Sequence, residues 1–160
     1  MRIMIAVLLA AATPAAGHIT AVPASGAAGS YLGFAVRVGH GCGGAATTSV
    51  RVELPAGIAS VRPQPKPGWT LQIERAALSA PVMVEGKPVS DRVAAIIWSG
   101  NLPADQFDDF GLLIRMPDAG MIRLPVEQRC GTTVQRWDDS DDRHPAAMLE
   151  VTPAMMTHNH

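Results

Sequence analysis

Short runs of alternating apolar and polar residues, ended by glycine, proline or aspartate, dominate the chain after residue 18. Leu32, Phe34, Val36 and Val38 form one such series, and Val50 begins another. Alternation of this kind puts every second side chain on one face of a β-strand. No long segment repeats its apolar residues every 3.6 positions, as an amphipathic helix would. The sequence therefore predicts an all-β domain whose strands bury one face each.

The spacing of these runs predicts about nine short strands in a two-sheet sandwich of immunoglobulin-like topology. A hairpin is predicted with its turn at Glu85-Gly86-Lys87-Pro88. The segment 61–68 contains three prolines and is predicted to be an extended loop. A short helical turn is predicted at residues 104–107, and Ile122, Leu124 and Val126 are predicted to share one returning strand.

The first seventeen residues have the features of a secretory signal peptide. Arg2 precedes an apolar run over residues 3–12, and Ala15 and Gly17 place small residues at the −3 and −1 positions of a cut after Gly17. An N-terminal membrane anchor is the alternative, but a span needs about twenty apolar residues. We therefore predict a signal peptide at 1–17, a domain at 18–153 and a flexible tail at 154–160. The mature protein is expected in the periplasm or cell envelope, with no membrane span after cleavage.

Charge and cysteine content narrow the functional classes. The formal net charge is −1 and no run of Lys and Arg occurs, so there is no electrostatic basis for binding nucleic acid. The two cysteines, Cys42 and Cys130, are most simply a disulfide in an exported chain. The alternative is a pair of thiolate metal ligands, which an oxidising compartment disfavours. No hydrolase or phosphate-binding motif is present, and no catalytic residue is predicted.

A cut after Gly17 would make His18 the first residue, so its α-amine and its Nδ1 could both bind one ion. Cu(II) favours nitrogen donors of this kind. The alternative is a frayed terminus without a ligand. Six further residues could bind a metal ion: His40, His144, Met155, Met156, His158 and His160. Each has an alternative role as a solvated polar residue or as part of a flexible tail.

Seven segments, taken in order, resemble a family of bacterial exported proteins. They are His18-Ile19-Thr20, Val38-Gly39-His40-Gly41-Cys42, Pro67-Gly68-Trp69, Ile97-Trp98-Ser99-Gly100, Leu102-Pro103, Phe107-Asp108-Asp109-Phe110 and Cys130-Gly131 leading to Trp137. On these segments the chain, from His18 to Pro153, resembles the YcnI-like copper-binding domain.

The resemblance implies an immunoglobulin-like β-sandwich that binds one Cu(II) in a mono-histidine brace. His18 would supply the amine and the imidazole, and Asp109 would supply a carboxylate where the family carries glutamate. Because aspartate has the shorter side chain, Asp108 stays an alternative source of that carboxylate. Trp137 matches a tryptophan close to the metal, where it would cover the site, and core packing is its alternative role. Trp69 and Trp98 are assigned to packing.

Three functions follow from these observations. The first is a non-enzymatic copper binder in copper trafficking or homeostasis, with copper chaperones or a membrane copper transporter as partners. The second is a copper oxidase or monooxygenase, which requires His40 or another histidine on the same ion and an open position for oxygen. The third is a metal-free interaction module in which His18 has no role.

Overall fold

The computed structural model describes residues 17–58 and 60–154, which form twelve β-strands and no helix. The strands are β1 (Thr20–Val22), β2 (Ser25–Ala27), β3 (Tyr31–Val38), β4 (Thr47–Glu53), β5 (Val61–Pro63), β6 (Thr70–Val84), β7 (Lys87–Leu102), β8 (Asp108–Arg115), β9 (Gly120–Leu124), β10 (Val126–Cys130), β11 (Thr133–Trp137) and β12 (Ala147–Thr152). The predicted signal peptide up to residue 16 and the tail from Met155 to His160 lie outside the described residues. Within the described part, no helix is long and apolar enough to cross a membrane.

The strands form three sheets that share one core. Their orders are β1-β3-β8-β5, β11-β10-β4-β7-β6 and β2-β12-β9. Neighbouring strands run antiparallel, except that β2 and β12 are parallel. The largest buried side chains of the core are Trp98 and Phe110, whose ring centroids lie 5.5 Å apart. The prediction of an all-β domain is confirmed.

The structure has more strands than the nine predicted, partly because one segment predicted as a single strand forms two. Ile122 and Leu124 belong to β9, which pairs with β12, whereas Val126 belongs to β10, which pairs with β4. Pro125 stands between them and has no N–H to donate to either ladder. The prediction of a single returning strand was therefore wrong, and the chain passes from one sheet to another at this proline.

Three other local predictions are tested by the strands. The turn of the β6–β7 hairpin is as predicted, with positive φ angles at Glu85 and Gly86 as in a two-residue hairpin loop. The loop prediction for 61–68 was wrong at its start, because Val61–Pro63 forms the edge strand β5, where a proline is tolerated. The predicted helical turn at 104–107 is instead a tight turn, in which Gln106 N–H donates to the Pro103 carbonyl at 3.1 Å.

The predicted disulfide is present and positions the loop that follows β3. Cys42 and Cys130 are bonded, with their Cα atoms 5.8 Å apart, so the loop at residues 39–46 is tied to the end of β10. Gly41 in this loop is buried and donates its N–H to the Ala104 carbonyl at 3.0 Å. His40 is thereby held beside β10, close to the start of the described chain.

Candidate functional site

The N-terminal segment is fixed by the residue next to His18. Ile19 and Ala21 are buried in the core, whereas His18 and Thr20 are exposed, which is the alternation of a strand with one buried face. Burying the Ile19 side chain contributes about 2 kcal/mol to holding this segment in place. His18 therefore stands at the surface two residues before the start of β1, and its neighbour Ile19 is anchored in the core.

A cavity of about 370 Å³ lies against His18. Three histidines line it, together with Trp137, Gln128 and the loop that carries the disulfide. The three are His18 from the start of the chain, His40 from the loop after β3, and His144 from the segment between β11 and β12. Residues distant in sequence thus place imidazole nitrogens around one space.

Trp137 is both a core residue and a wall of this cavity. Its side chain is 3% exposed and ends strand β11. The His18 ring meets it edge-on, with centroids 6.5 Å apart and an interplanar angle of 73°. The His144 ring also meets it edge-on, at 5.0 Å and 76°. The two roles considered for Trp137 from the sequence are therefore compatible, since the indole packs in the core and still contacts His18.

Gln128 is the residue of this site that the sequence interpretation missed. It is 1% exposed, and its Oε1 accepts a hydrogen bond from Trp137 Nε1 at 3.1 Å. Its Nε2 donates to the His40 carbonyl and to Thr47 Oγ1, both at 2.8 Å. One buried amide thus fixes the indole and the His40 backbone relative to each other. The sequence feature that could have indicated this role is a polar glutamine at a buried position of β10, between the buried residues Val126 and Cys130.

The hydrogen bonds of His40 define which of its nitrogens is free to accept. Nδ1 lies 2.5 Å from the Gly41 carbonyl oxygen, which can only accept, so Nδ1 carries the proton. Nε2 accepts a hydrogen bond from the Gly17 N–H at 3.1 Å, so it is unprotonated. His40 is therefore the neutral Nδ1–H tautomer, and its Nε2 lone pair points towards the residue that precedes His18.

His144 has a similar arrangement. Its Nδ1 lies 2.8 and 2.9 Å from the two carboxylate oxygens of Asp141. This hydrogen bond, and a second one from the Arg143 N–H, hold the pKa of the Asp141 carboxyl below its usual range. The imidazole is oriented by the carboxylate, and its edge rests on Trp137.

Asp109 does not line the cavity that the three histidines share. Both its carboxylate oxygens accept hydrogen bonds from Arg37, each at 2.8 Å, and this pairing lowers the pKa of the Asp109 carboxyl. Asp109 is opposite Arg37 in the sheet, and Arg37 is opposite Thr20, so two strand spacings, about 9.6 Å, separate Asp109 from β1. The neighbouring Asp108 is paired with Lys66 at 2.6 Å.

Asp109 lines one larger cavity of about 570 Å³ and one smaller cavity of about 250 Å³, and neither has a histidine in its lining. The structure thus brings His18 and Trp137 together and does not place Asp109 with them. A carboxylate ligand from Asp109 stays a prediction, and it requires the Arg37 pair to open.

The donors suit a copper ion by chemical type, although they are not arranged in advance around one point. Among residues 17–58 and 60–154, no group of three His, Cys, Asp or Glu side chains stands ready to hold a metal ion. Cys42 and Cys130 offer no thiolate because they are bonded to each other. Imidazole nitrogens, which are donors that Cu(II) accepts readily, remain at the cavity.

Comparisons with known proteins address the fold and the family. No curated protein matches this chain. An uncharacterized protein from Nocardia farcinica, whose crystal structure reveals an immunoglobulin-like fold, is similar to it at 27% sequence identity and a TM-score of 0.65. The match covers 86% of this chain and 99% of that chain, which confirms the predicted immunoglobulin-like architecture. The profile of one family, described as a domain of unknown function, matches residues 18–154, so the chain belongs to the DUF1775 family.

Proposed function

We propose that this chain is an exported protein that carries Cu(II) at the N-terminus produced by cleavage after Gly17, and that it acts in copper trafficking or homeostasis. The family match supports the cleavage position, since it begins at residue 18. The small residues Ala15 and Gly17 at the cut support it independently. A copper chaperone or a membrane copper transporter would be the partner that supplies or receives the ion.

The observation that carries this proposal is the position of His18 at the cavity wall. The residue after it is buried, so the new terminus is held where its imidazole meets Trp137 at 6.5 Å. In the uncut chain the backbone nitrogen of His18 belongs to an amide that keeps its proton, so it does not bind the metal ion. After the cut, the amine and Nδ1 belong to one residue, and both can bind the same ion with little further loss of chain entropy.

Trp137 supports the proposal through its environment. The indole N–H is already donated to Gln128 at 3.1 Å, so the aromatic ring is what it presents to the cavity. An aromatic ring beside the ion excludes water from one side and attracts a cation through its face. The protonated α-amine must lose its proton to bind, and its free pKa is about 7.7 to 8.0, so affinity should fall as the pH drops below neutral.

We favour a carrier over an oxidase or monooxygenase because of how the donors are arranged. Catalytic metal sites hold their ligands in the productive geometry before the reaction. Here the histidines line one cavity without forming a finished group in the described residues. A site that closes when the ion arrives is suited to taking up an ion and releasing it.

The experiment is a calorimetric titration of Cu(II) into two purified proteins. One begins at His18, with its N-terminus verified by mass spectrometry, and the other is the same protein with its α-amine acetylated. We expect one tight copper per molecule in the first protein and loss of that binding in the second. Equal binding by both would place the metal elsewhere, for example at the tail histidines. Absence of binding by both would favour the metal-free interaction module.

A further inference from the structure

We infer that His40 is a second imidazole ligand of this copper ion and binds it through Nε2. The inference rests on the proposed function and goes beyond it, since a brace built on one histidine uses only His18. A second histidine meets one requirement of the oxidase alternative, but that alternative also requires an open position for oxygen, so His40 as a ligand does not by itself change the proposed function. Four observations carry it: the position of Nε2, the orientation of the ring, the anchoring of the His40 backbone, and the ion pairs that already hold Asp108 and Asp109.

The position of Nε2 follows from its contact with Gly17. The two nitrogens lie 3.1 Å apart. Three backbone bonds join the nitrogens of residues 17 and 18, which are therefore at most about 3.6 Å apart. The His18 nitrogen thus lies within about 6.7 Å of His40 Nε2, and a metal about 2.0 Å from each of two nitrogens spans up to about 4 Å. A small movement of the freed terminus is enough to bring both nitrogens onto one ion.

The ring orientation is that of a metal-binding histidine. Such histidines usually donate the N–H of their other nitrogen to a carbonyl or carboxylate, which fixes the tautomer and aims the free lone pair. His40 Nδ1 makes this bond with the Gly41 carbonyl at 2.5 Å. Its Nε2 is left as an acceptor and lies on the side of the cavity where the new N-terminus would be.

The His40 backbone is held on two sides. Its carbonyl accepts a hydrogen bond from the buried Gln128 at 2.8 Å. Two residues later, Cys42 is bonded to Cys130 on β10. The same Gln128 also holds Trp137, so the proposed ligand and the indole beside His18 share one rigid support.

The cut after Gly17 would complete this site in two ways. In the uncut chain, Nε2 of His40 is occupied by the Gly17 N–H, and the nitrogen of His18 is part of an amide. Removal of Gly17 takes away the hydrogen-bond donor and creates the amine in the same step. The two carboxylates considered as ligands from the sequence are already paired, because Arg37 holds Asp109 and Lys66 holds Asp108.

His144 provides a matched control within the same cavity. Its Nδ1 is also bound to an oxygen acceptor, the Asp141 carboxylate, at 2.8 Å. Its ring contacts Trp137, however, whereas His40 contacts the residue before His18. Replacing His144 therefore removes a cavity imidazole without removing the proposed ligand.

The test counts the imidazoles on the copper by pulsed electron paramagnetic resonance, in which the remote nitrogen of each bound ring modulates the electron spin echo. Four proteins are loaded with one equivalent of Cu(II): the protein beginning at His18, its His40→Gln and His144→Gln variants, and the N-acetylated protein. We expect two imidazoles in the parent and in His144→Gln, and one in His40→Gln. The affinity of His40→Gln should fall by about tenfold or more.

The outcomes separate this inference from the proposed function. One imidazole in the parent, with the same spectrum in His40→Gln, would overturn the role of His40 and leave His18 as the sole histidine ligand. A lost imidazole in His144→Gln but not in His40→Gln would overturn it in favour of His144. No tight copper in the parent would overturn both proposals. A single imidazole in the parent overturns the inference without any variant, so the inference can be refuted even if His40→Gln folds poorly.

Discussion

Replacing Gln128 with leucine tests the support on which the cavity depends. Leucine has a similar volume but accepts and donates nothing, so Trp137 Nε1, Thr47 Oγ1 and the His40 carbonyl each lose a partner. Each buried polar group left unpaired costs about 1 to 3 kcal/mol. The His40 carbonyl lies in a half-buried loop and can reach water, and leucine is more apolar than glutamine, so part of this cost is recovered. We expect a net loss of about 3 kcal/mol, a large part of the 5 to 15 kcal/mol typical of a domain.

The assay is urea unfolding followed by tryptophan fluorescence, with the disulfide intact. Gln135→Leu is the matched control, because Gln135 lies opposite Gln128 on the neighbouring strand and lines the same cavity. Its side chain makes no hydrogen bond to another described residue, so we expect a change below about 0.5 kcal/mol. A loss below about 1 kcal/mol in Gln128→Leu, or equal losses in both variants, would refute the argument that the amide network holds the cavity.

Three further predictions concern the surroundings of the site. A Cβ at Gly41 would collide with backbone atoms, so Gly41→Ala should lower the free energy of unfolding, measured in urea, by about 2 kcal/mol. A Cβ at Gly39 would face open space, so Gly39→Ala should leave that free energy nearly unchanged, and equal effects of the two variants would contradict the packing argument. Reducing the disulfide, which spans 88 residues, should cost about 4.5 kcal/mol in the same assay, and an unchanged midpoint would contradict this. Arg37 lowers the pKa of Asp109 in the folded state, so the ion pair stabilises the fold fully above about pH 3.9, the pKa of a free aspartate, and this contribution is lost as the pH falls through the lower folded pKa. Asp109→Asn should therefore lower the free energy of unfolding at pH 6 and leave it unchanged in strong acid. A constant difference between the two proteins across that pH range would refute this.

The sequence predicted those elements whose pattern is local. The alternation at Phe34, Val36 and Val38 does mark a strand with one buried face, and all three side chains are buried. Glu85-Gly86 does form the hairpin turn, because its positive φ angles are a property of the turn residues themselves. The disulfide was predictable because only two cysteines are available in a chain expected to be exported.

Features that depend on sheet register were not predictable. The apolar spacing of Leu124 and Val126 is the same whether they share a sheet or not, and only the pairing reveals the change of sheet at Pro125. Asp109 could be assigned to a metal from its sequence motif, but its pairing with Arg37 is set by the register of β3 and β8. The network through Gln128 joins residues up to 88 positions apart, and no local pattern contains that information.

The central claim is that the free N-terminus of His18 holds Cu(II). Continuous-wave electron paramagnetic resonance tests it most directly, by comparing the one-copper complexes of the protein that begins at His18 and of the same protein with its α-amine acetylated. We expect a tetragonal, nitrogen-rich spectrum in the first protein that is absent from the second, because acetylation converts the His18 amine into an amide. Identical spectra from the two proteins would contradict it.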